Sequence, residues 1–315
     1  SIRMTSTWVK SLTPTRFLAS SAPIGHTGGM ARSIRIATRA EQLLGCAVVS
    51  TAPVAGGDVC TTTKLRLSDG RMAAVKTRTN PPTGFFATEA EGLRWLGQSG
   101  CVAVPEVLAV AEDCLILSWI EPGRASAEGA TEFGRNLAQL HLSGAPSFGH
   151  KAEGFIGLLP MPNRACDTWV EFYAVRRVLP YLKLAVDRGQ IDPVDAADVE
   201  RVVRRITTLV GPEEAPARLH GDLWNGNVVW DAQGNACLID PAAYGGHREV
   251  DLAMLTLFGL PQVQRVFDAY NETSPLADGW QDRVSLYQLF PLLVHACQFG
   301  RSYGSRAGAA ARAYL

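Results

Sequence analysis

The chain has 315 residues, a hydrophobic share of 47%, and 30 basic against 30 acidic side chains. That is enough apolar material for one two-lobed domain or two closely packed ones. The zero net charge speaks against a dedicated nucleic-acid binder, which normally carries a basic footprint.

No apolar run approaches the ~20 residues needed to span a bilayer, so no membrane partner is expected. The seven cysteines are scattered and form no C-x-x-C pair, the pattern of a reduced, cytoplasmic protein rather than a disulfide scaffold or zinc site. The first forty residues contain no Asp or Glu but carry Arg3, Lys10, Arg16, Arg32, Arg35 and Arg39 among Ser and Thr. They resemble an organellar transit peptide. The plainer reading, adopted here, is an upstream extension without fixed structure over residues 1–30, with Met30 opening the folded part.

Residues 47–77 read as strands. Val48-Val49 runs to a turn at Ala55-Gly56-Gly57-Asp58. Thr61 to Leu67 then alternates, with Leu65 and Leu67 on one face. Asp69-Gly70 is a hairpin turn, and Met72 to Val75 forms a strand ending at Lys76. After the Pro- and Gly-rich loop 80–84, Phe86, Ala90, Leu93 and Leu96 recur at helical spacing. Val107–Val110 and Cys114–Ile120 read as two further strands, and Glu121-Pro-Gly123 as a linker.

Beyond it the chain reads as mainly helical. Helices are expected over Phe133–Leu142, Trp169–Arg188 with an interruption near Pro180, Val194–Val210, Asp251–Leu257, Val263–Tyr270 and Trp280–Tyr303. The exception is a small hairpin, Val228–Trp230 and Ala236–Ile239, around Gly234-Asn235. The expectation is an α+β, bilobal, protein-kinase-like fold. A five-stranded antiparallel sheet with one helix (31–120, the nucleotide-binding lobe) precedes a larger, mainly helical catalytic and substrate lobe (121–315). Fold order alone does not give function, which has to come from the site.

Phosphoryl transfer needs phosphates positioned, their charge neutralised and the acceptor hydroxyl oriented. The segment His220-Gly-Asp-Leu-Trp-Asn-Gly-Asn227 offers the parts. Asp222 is the candidate base. Asn227, five residues on, and Asp240, brought back beside it by the hairpin, are candidate ligands of Mg²⁺, which favours oxygen donors. Lys76 can reach phosphate oxygens, with Glu89 on the following helix as its partner and Glu91 as a rival. Gly56 and Gly57 would let backbone approach phosphates closely. His220 and Asp251 are structural support. Asp251 falls in the first turn of a helix, where a carboxylate is favoured, and is expected to brace the loop by accepting backbone hydrogen bonds.

Taken together, His220 to Asn227, Ile239-Asp-Pro-Ala242 and Tyr244-Gly-Gly-His-Arg-Glu-Val-Asp-Leu-Ala-Met254 resemble the fructosamine kinase (ketosamine-3-kinase) family. The family belongs to the aminoglycoside-phosphotransferase-like superfamily. Gly56-Gly-Asp58, Ala74-Val-Lys76 and Phe86-Ala-Thr-Glu-Ala90 match as well, so the resemblance covers about residue 32 to the end. It implies ATP-dependent phosphorylation of the third hydroxyl of ketosamines, as small molecules or on glycated lysines, followed by breakdown that releases the amine. It assigns ATP and Mg²⁺ as cofactors, and Ser118, Trp119 and Ile120 as the hinge facing adenine. Some eukaryotic members carry a cysteine where this chain has Asp58, and a redox role at that position does not transfer to Cys60.

Trp224 and His295 are the substrate candidates. The Trp224 ring could pack on a sugar or an amine cation. Trp169, Phe172, Tyr173 and Tyr287 are further candidates for the acceptor pocket, although helical aromatics are more often core. The alternatives are a kinase of another small alcohol or an aminoglycoside, and a non-catalytic nucleotide-binding pseudokinase. A monomer or weak dimer is expected.

Overall fold

The computed structural model describes residues 26–55 and 59–315. The readings of residues 1–25 and of Gly56, Gly57 and Asp58 lie outside them.

The chain opens with helix α1 (His26–Leu44), which crosses the boundary drawn at residue 30 and was not expected as an element. Strands β1 (Val48–Val54), β2 (Thr61–Leu67) and β3 (Met72–Thr77) follow, then helix α2 (Phe85–Gly97) and strands β4 (Val107–Val110) and β5 (Cys114–Ser118). They form an antiparallel sheet in the order β1-β2-β3-β5-β4. Alternation along β5 explains how two helices cover this sheet. Cys114 and Ile116 join Leu65, Leu67, Ala73 and Val75 under Ile36 and Ala40 of α1. Leu115 and Leu117 face the other way, against Phe85, Phe86, Ala90 and Leu93 of α2. The sheet lobe thus carries one helix on each face, α2 being the one turned toward the rest of the molecule.

The second lobe comprises α3 (Ala127–Leu142), the hairpin β6 (Gly154–Ile156) and β7 (Leu159–Met161), and α4 (Trp169–Phe172). A π-helical stretch (Tyr173–Val178), α5 (Leu179–Asp187), α6 (Pro193–Arg204) and β8 (Ala217–Leu219) come next. The hairpin β9 (Val228–Trp230) and β10 (Ala236–Leu238) precedes β11 (Tyr244–Gly246), which pairs with β8. Helices α7 (Glu249–Leu257), α8 (Val263–Thr273), α9 (Trp280–Phe299) and α10 (Arg301–Arg312) complete it.

The interruption expected near Pro180 is the π-helical stretch just before it. Pro180 itself sits in the first turn of α5, where its missing N–H costs nothing. The long helix expected to Tyr303 breaks at Gly300. Among the described residues no helix is long and apolar enough to cross a membrane.

The lobes are joined by more than the linker. Gly123 N donates to Trp230 O at 2.6 Å, and Leu238 N to Ala103 O at 2.9 Å. Both the linker and the loop before β4 are therefore bonded to the hairpin β9–β10.

Candidate active site

The loop from His220 to Asn227 is shaped by its backbone. Gly221 adopts φ +84°, and a Cβ there would lie 2.0 Å from Ala242 O, so only glycine fits. His220 is fully buried. Its Nε2 lies 2.9 Å from Ile239 O, and its Nδ1 accepts the Asp222 amide N–H at 3.2 Å. This is the pattern of a neutral ring with the proton on Nε2, and burial holds its pKa below the usual histidine range.

Asp251, at the start of α7, is fully buried. Its two oxygens accept the amides of His220 (2.8 Å) and Gly221 (2.9 Å). Behind it His141 of α3 lies 3.2 Å away through Nε2, and His141 Nδ1 is 2.7 Å from the Tyr270 hydroxyl of α8. The carboxylate thus ties the loop to three helices. His141 and Tyr270 were not foreseen. The available signal was a histidine continuing the apolar stripe Phe133, Leu137, His141 at spacing four.

Asn227 donates Nδ2 to Asp222 Oδ2 at 3.0 Å and to Asp222 O at 2.8 Å. Burial pushes the Asp222 carboxyl up to about 7; the Asn227 hydrogen bond opposes that shift, and the charges of Asp240 and Asp251 add to it. Hairpin pairing brings Ile239 N within 3.0 Å of Asn227 O, which sets Asp240 beside Asn227. Asp240 takes a left-handed conformation, φ +54°, which Asp tolerates better than most residues. Its Oδ1 accepts from Lys76 Nζ at 2.7 Å, and Lys76 also donates to Glu89 Oε1 at 2.6 Å. Burial works against the Lys76 charge, but Glu89 and Asp240 outweigh it and raise its pKa above the usual lysine range. Glu91, the rival partner, instead meets the exposed Lys151 at 2.6 Å.

This donor set suits Mg²⁺. Asn227 has its amide nitrogen committed to Asp222, which leaves its carbonyl oxygen as the acceptor. The Asp240 side chain is 42% exposed, and hard oxygen donors from one or two side chains are what Mg²⁺ uses alongside phosphate oxygens and water.

The three hinge positions differ in what they contact. Ser118 is paired with Glu106, accepting its amide through Oγ at 2.9 Å. Trp119 donates its backbone N–H to Met72 O and its indole N–H to Glu121, and Lys64 sits 4.4 Å over its ring. The Trp119 ring therefore belongs to the sheet surface. Ile120 is half-buried where the chain leaves the sheet.

Trp224 lies over the turn Asn225–Asn227; a Cβ on Gly226 would come within 2.3 Å of its ring. The ring is half-buried and meets Phe258 edge-on at 5.4 Å. Phe258 is 5.1 Å from His295, which in turn lies 5.4 Å from Phe299 and 5.1 Å from Tyr303. His295 Nδ1 is 2.7 Å from Pro291 O. Trp224 and His295 thus share one aromatic wall through Phe258, which sequence reasoning missed. Trp169, Phe172, Tyr173 and Tyr287 do not reach it. They are buried in the core of the helical lobe, and Trp169 packs on Phe172, Tyr173 and Tyr287.

Residues 31–315 match the sequence model of the fructosamine kinase family. A "Probable ketoamine kinase" of Thermus thermophilus is 39% identical over 254 residues, covering 80% of this chain and 88% of its own. Another, from Enterococcus faecium, is 36% identical over 259 residues, covering 81% and 91%. A solved structure from Thermobifida fusca, described as a candidate fructosamine-3-kinase, superposes with a TM-score of 0.84 at 47% identity, covering 88% of this chain and 97% of that one. A macrolide 2'-phosphotransferase of Brachybacterium faecium, at 15% identity and a TM-score of 0.60, covers 89% and 97% and shares the fold. By sequence over nearly its whole described length and by its bilobal kinase fold, the chain belongs to the fructosamine kinase family of phosphotransferases.

Proposed function

We propose that the protein is an ATP- and Mg²⁺-dependent kinase of the 3-hydroxyl of ketosamines, the rearranged adducts of sugars with amines. The observation that supports this best is the joining of two clusters at the hairpin β9–β10. Asp222 is bonded to Asn227 on one side; on the other, Lys76 donates to both Asp240 and Glu89.

In this reading Asp222 accepts the proton of the acceptor hydroxyl as its oxygen bonds to the γ-phosphorus. The bridging oxygen leaves with ADP. A carboxyl raised toward neutrality by burial is matched to such proton transfer. Lys76, oriented by Glu89, would hold phosphate oxygens, and Asn227 and Asp240 would hold the metal. Bound there, Mg²⁺ would supply neutralisation of the phosphate charge. His220 and Asp251 keep the loop in place and touch no substrate. Ser118, Trp119 and Ile120 are proposed as the adenine end; the N–H groups of Ser118 and Trp119 are committed to Glu106 O and Met72 O, which leaves the backbone of Ile120.

The acceptor assignment is supported by family membership and by the Trp224–Phe258–His295 wall, whose ring faces suit a sugar carrying an ammonium nitrogen. A phosphate placed β to the ketone is a competent leaving group, so the product can release the amine. The seven cysteines are all unpaired thiols, in keeping with a cytoplasmic site of action.

The test is ADP release measured against a panel of fructose- and ribulose-lysine adducts and aminoglycosides. Turnover of ketosamines alone is expected. Turnover of aminoglycosides without any ketosamine would replace the acceptor, and ATP binding without turnover of anything would favour a non-catalytic role.

A further inference from the structure

The hairpin β6–β7 belongs to the helical lobe but reaches the sheet lobe. Its neighbouring side chains point to opposite sides. Ile156, Leu159 and Met161 are buried in the core of the helical lobe. Phe155 turns the other way and packs with Phe85, Phe86, Ala90 and Leu93 of α2 and with Leu115 and Leu117 of the sheet. Its ring meets Phe85 edge-on at 5.5 Å and 61°. Among the described residues it is the one side chain of the helical lobe in that cluster.

The hairpin is held firmly from below. Gln298 donates to Ile156 O at 3.0 Å and the Tyr181 hydroxyl to Pro160 O at 2.9 Å. The fully buried Arg177, within the π-helical stretch, donates to Pro162 O at 2.6 Å and Asn163 Oδ1 at 2.7 Å. Its guanidinium stacks 3.8 Å over Tyr244. Beside Phe155, the hairpin and α2 are separated by a cavity of about 20 Å³, bordered by Thr88, Glu91, His150, Glu153 and Asn163. Farther along α2 the helical lobe makes other contacts: a Cβ on Gly92 would lie 3.2 Å from Pro241, Trp95 meets His150 edge-on at 5.5 Å, and Arg218 donates to Trp95 O at 2.8 Å. The Lys151–Glu91 pair has a lysine 77% exposed and contributes little. Those contacts hold the middle and the C-terminal half of α2; Phe155 packs on its first turn, at Phe85, and Glu89 lies one turn further on.

We propose that Phe155 is a positioning residue: anchored in the helical lobe, it holds α2 where Glu89 meets Lys76. Loosening it populates arrangements in which Lys76 lacks its partner, and nucleotide affinity drops by the fraction of competent molecules. The inference rests on the phosphate-binding role of Lys76 and Glu89 and is independent of which acceptor is used.

The experiment is calorimetric titration of the full chain with a non-hydrolysable ATP analogue and Mg²⁺. An edge-on aromatic pair is worth enough for Phe155→Ala to weaken binding roughly threefold to tenfold. Phe155→Tyr should restore it, and Phe155→Leu, the milder variant, should fall between. Ile156→Val, on the opposite face, should lower the melting temperature and leave affinity unchanged. Adding Phe155→Ala to Glu89→Gln should weaken binding no further than Glu89→Gln alone, because both act through one contact. Unchanged affinity in folded Phe155→Ala, or additive losses in the double variant, would overturn the proposal. Failure of the unmodified chain to bind the analogue would remove the Lys76 assignment and this inference together.

Discussion

Two clusters of buried charge flank the hairpin β9–β10, and they are built on opposite principles. Asp251 is fully buried, and backbone amides of a fixed loop are among its partners, with a histidine behind. Lys76 is a flexible side chain shared between two carboxylates, one of them on the far lobe and 42% exposed. Backbone donors cannot leave without unfolding the loop, whereas an ammonium can exchange one oxygen for another at little cost. The first cluster is scaffold; the second has the composition of a ligand-exchange site.

The largest expected effect lies where the two meet. Asp222→Asn should lower turnover by ~10²-fold or more while nucleotide binding persists, as for a positioned base. Single-turnover kinetics with calorimetry would show it, and unchanged turnover would strip Asp222 of its role.

Next comes acid sensitivity of the scaffold side. His247 is buried and stacked on Tyr287 at 5.4 Å and 17°. Burial, only partly offset by Glu214, pushes its pKa from 6.5 down to about 4. The unfolded chain binds this proton first, so stability should be unaffected above pH 6.5 and fall as pH drops toward 4. The loss from this one group is on the order of 3 kcal/mol. Denaturant unfolding at pH 7 and pH 5 measures it, and His247→Gln should flatten the slope.

Asp251→Asn turns an amide group toward backbone N–H groups and should cost about 2 kcal/mol of stability, with turnover reduced more than nucleotide affinity. Equal loss of both would mean that the scaffold and the exchange site are not separable. The smallest effect is expected for Tyr270→Phe, about 1 kcal/mol from the lost His141 partner, read from the denaturation midpoint with turnover nearly intact.

Lys76, Asp222, Asn227, Asp240 and Asp251 were legible because each sits at a boundary that local chemistry marks: a strand end, a loop of fixed length, a Gly234-Asn235 turn, a helix start. Glu89, inside α2, was legible from its place beside the apolar stripe of Phe86 and Leu93. The five-stranded sheet and the lobe order were legible for the same reason. Helix α1 was hidden by context. Ile36, Ala40 and Leu43 have helical spacing, but the basic run before them reads as an extension. Strands β6, β7, β8 and β11 have three residues each, too few for alternation to register. The π-helical stretch is invisible to a 3.6-residue period. Trp169, Tyr173, Tyr287 and His295 are similar residues on similar helices, and only packing separates the three in the core from the one on the Trp224 wall.

The bonds from Gly123 to Trp230 and from Leu238 to Ala103 have a mechanical consequence. They clamp the pivot between the lobes onto the short ribbon whose ends lead to Asn227 and Asp240. A rotation of the sheet lobe therefore applies torque to the proposed cation ligands. Conversely, a cation held by Asn227 and Asp240 would restrain the same ribbon to which the pivot is bonded.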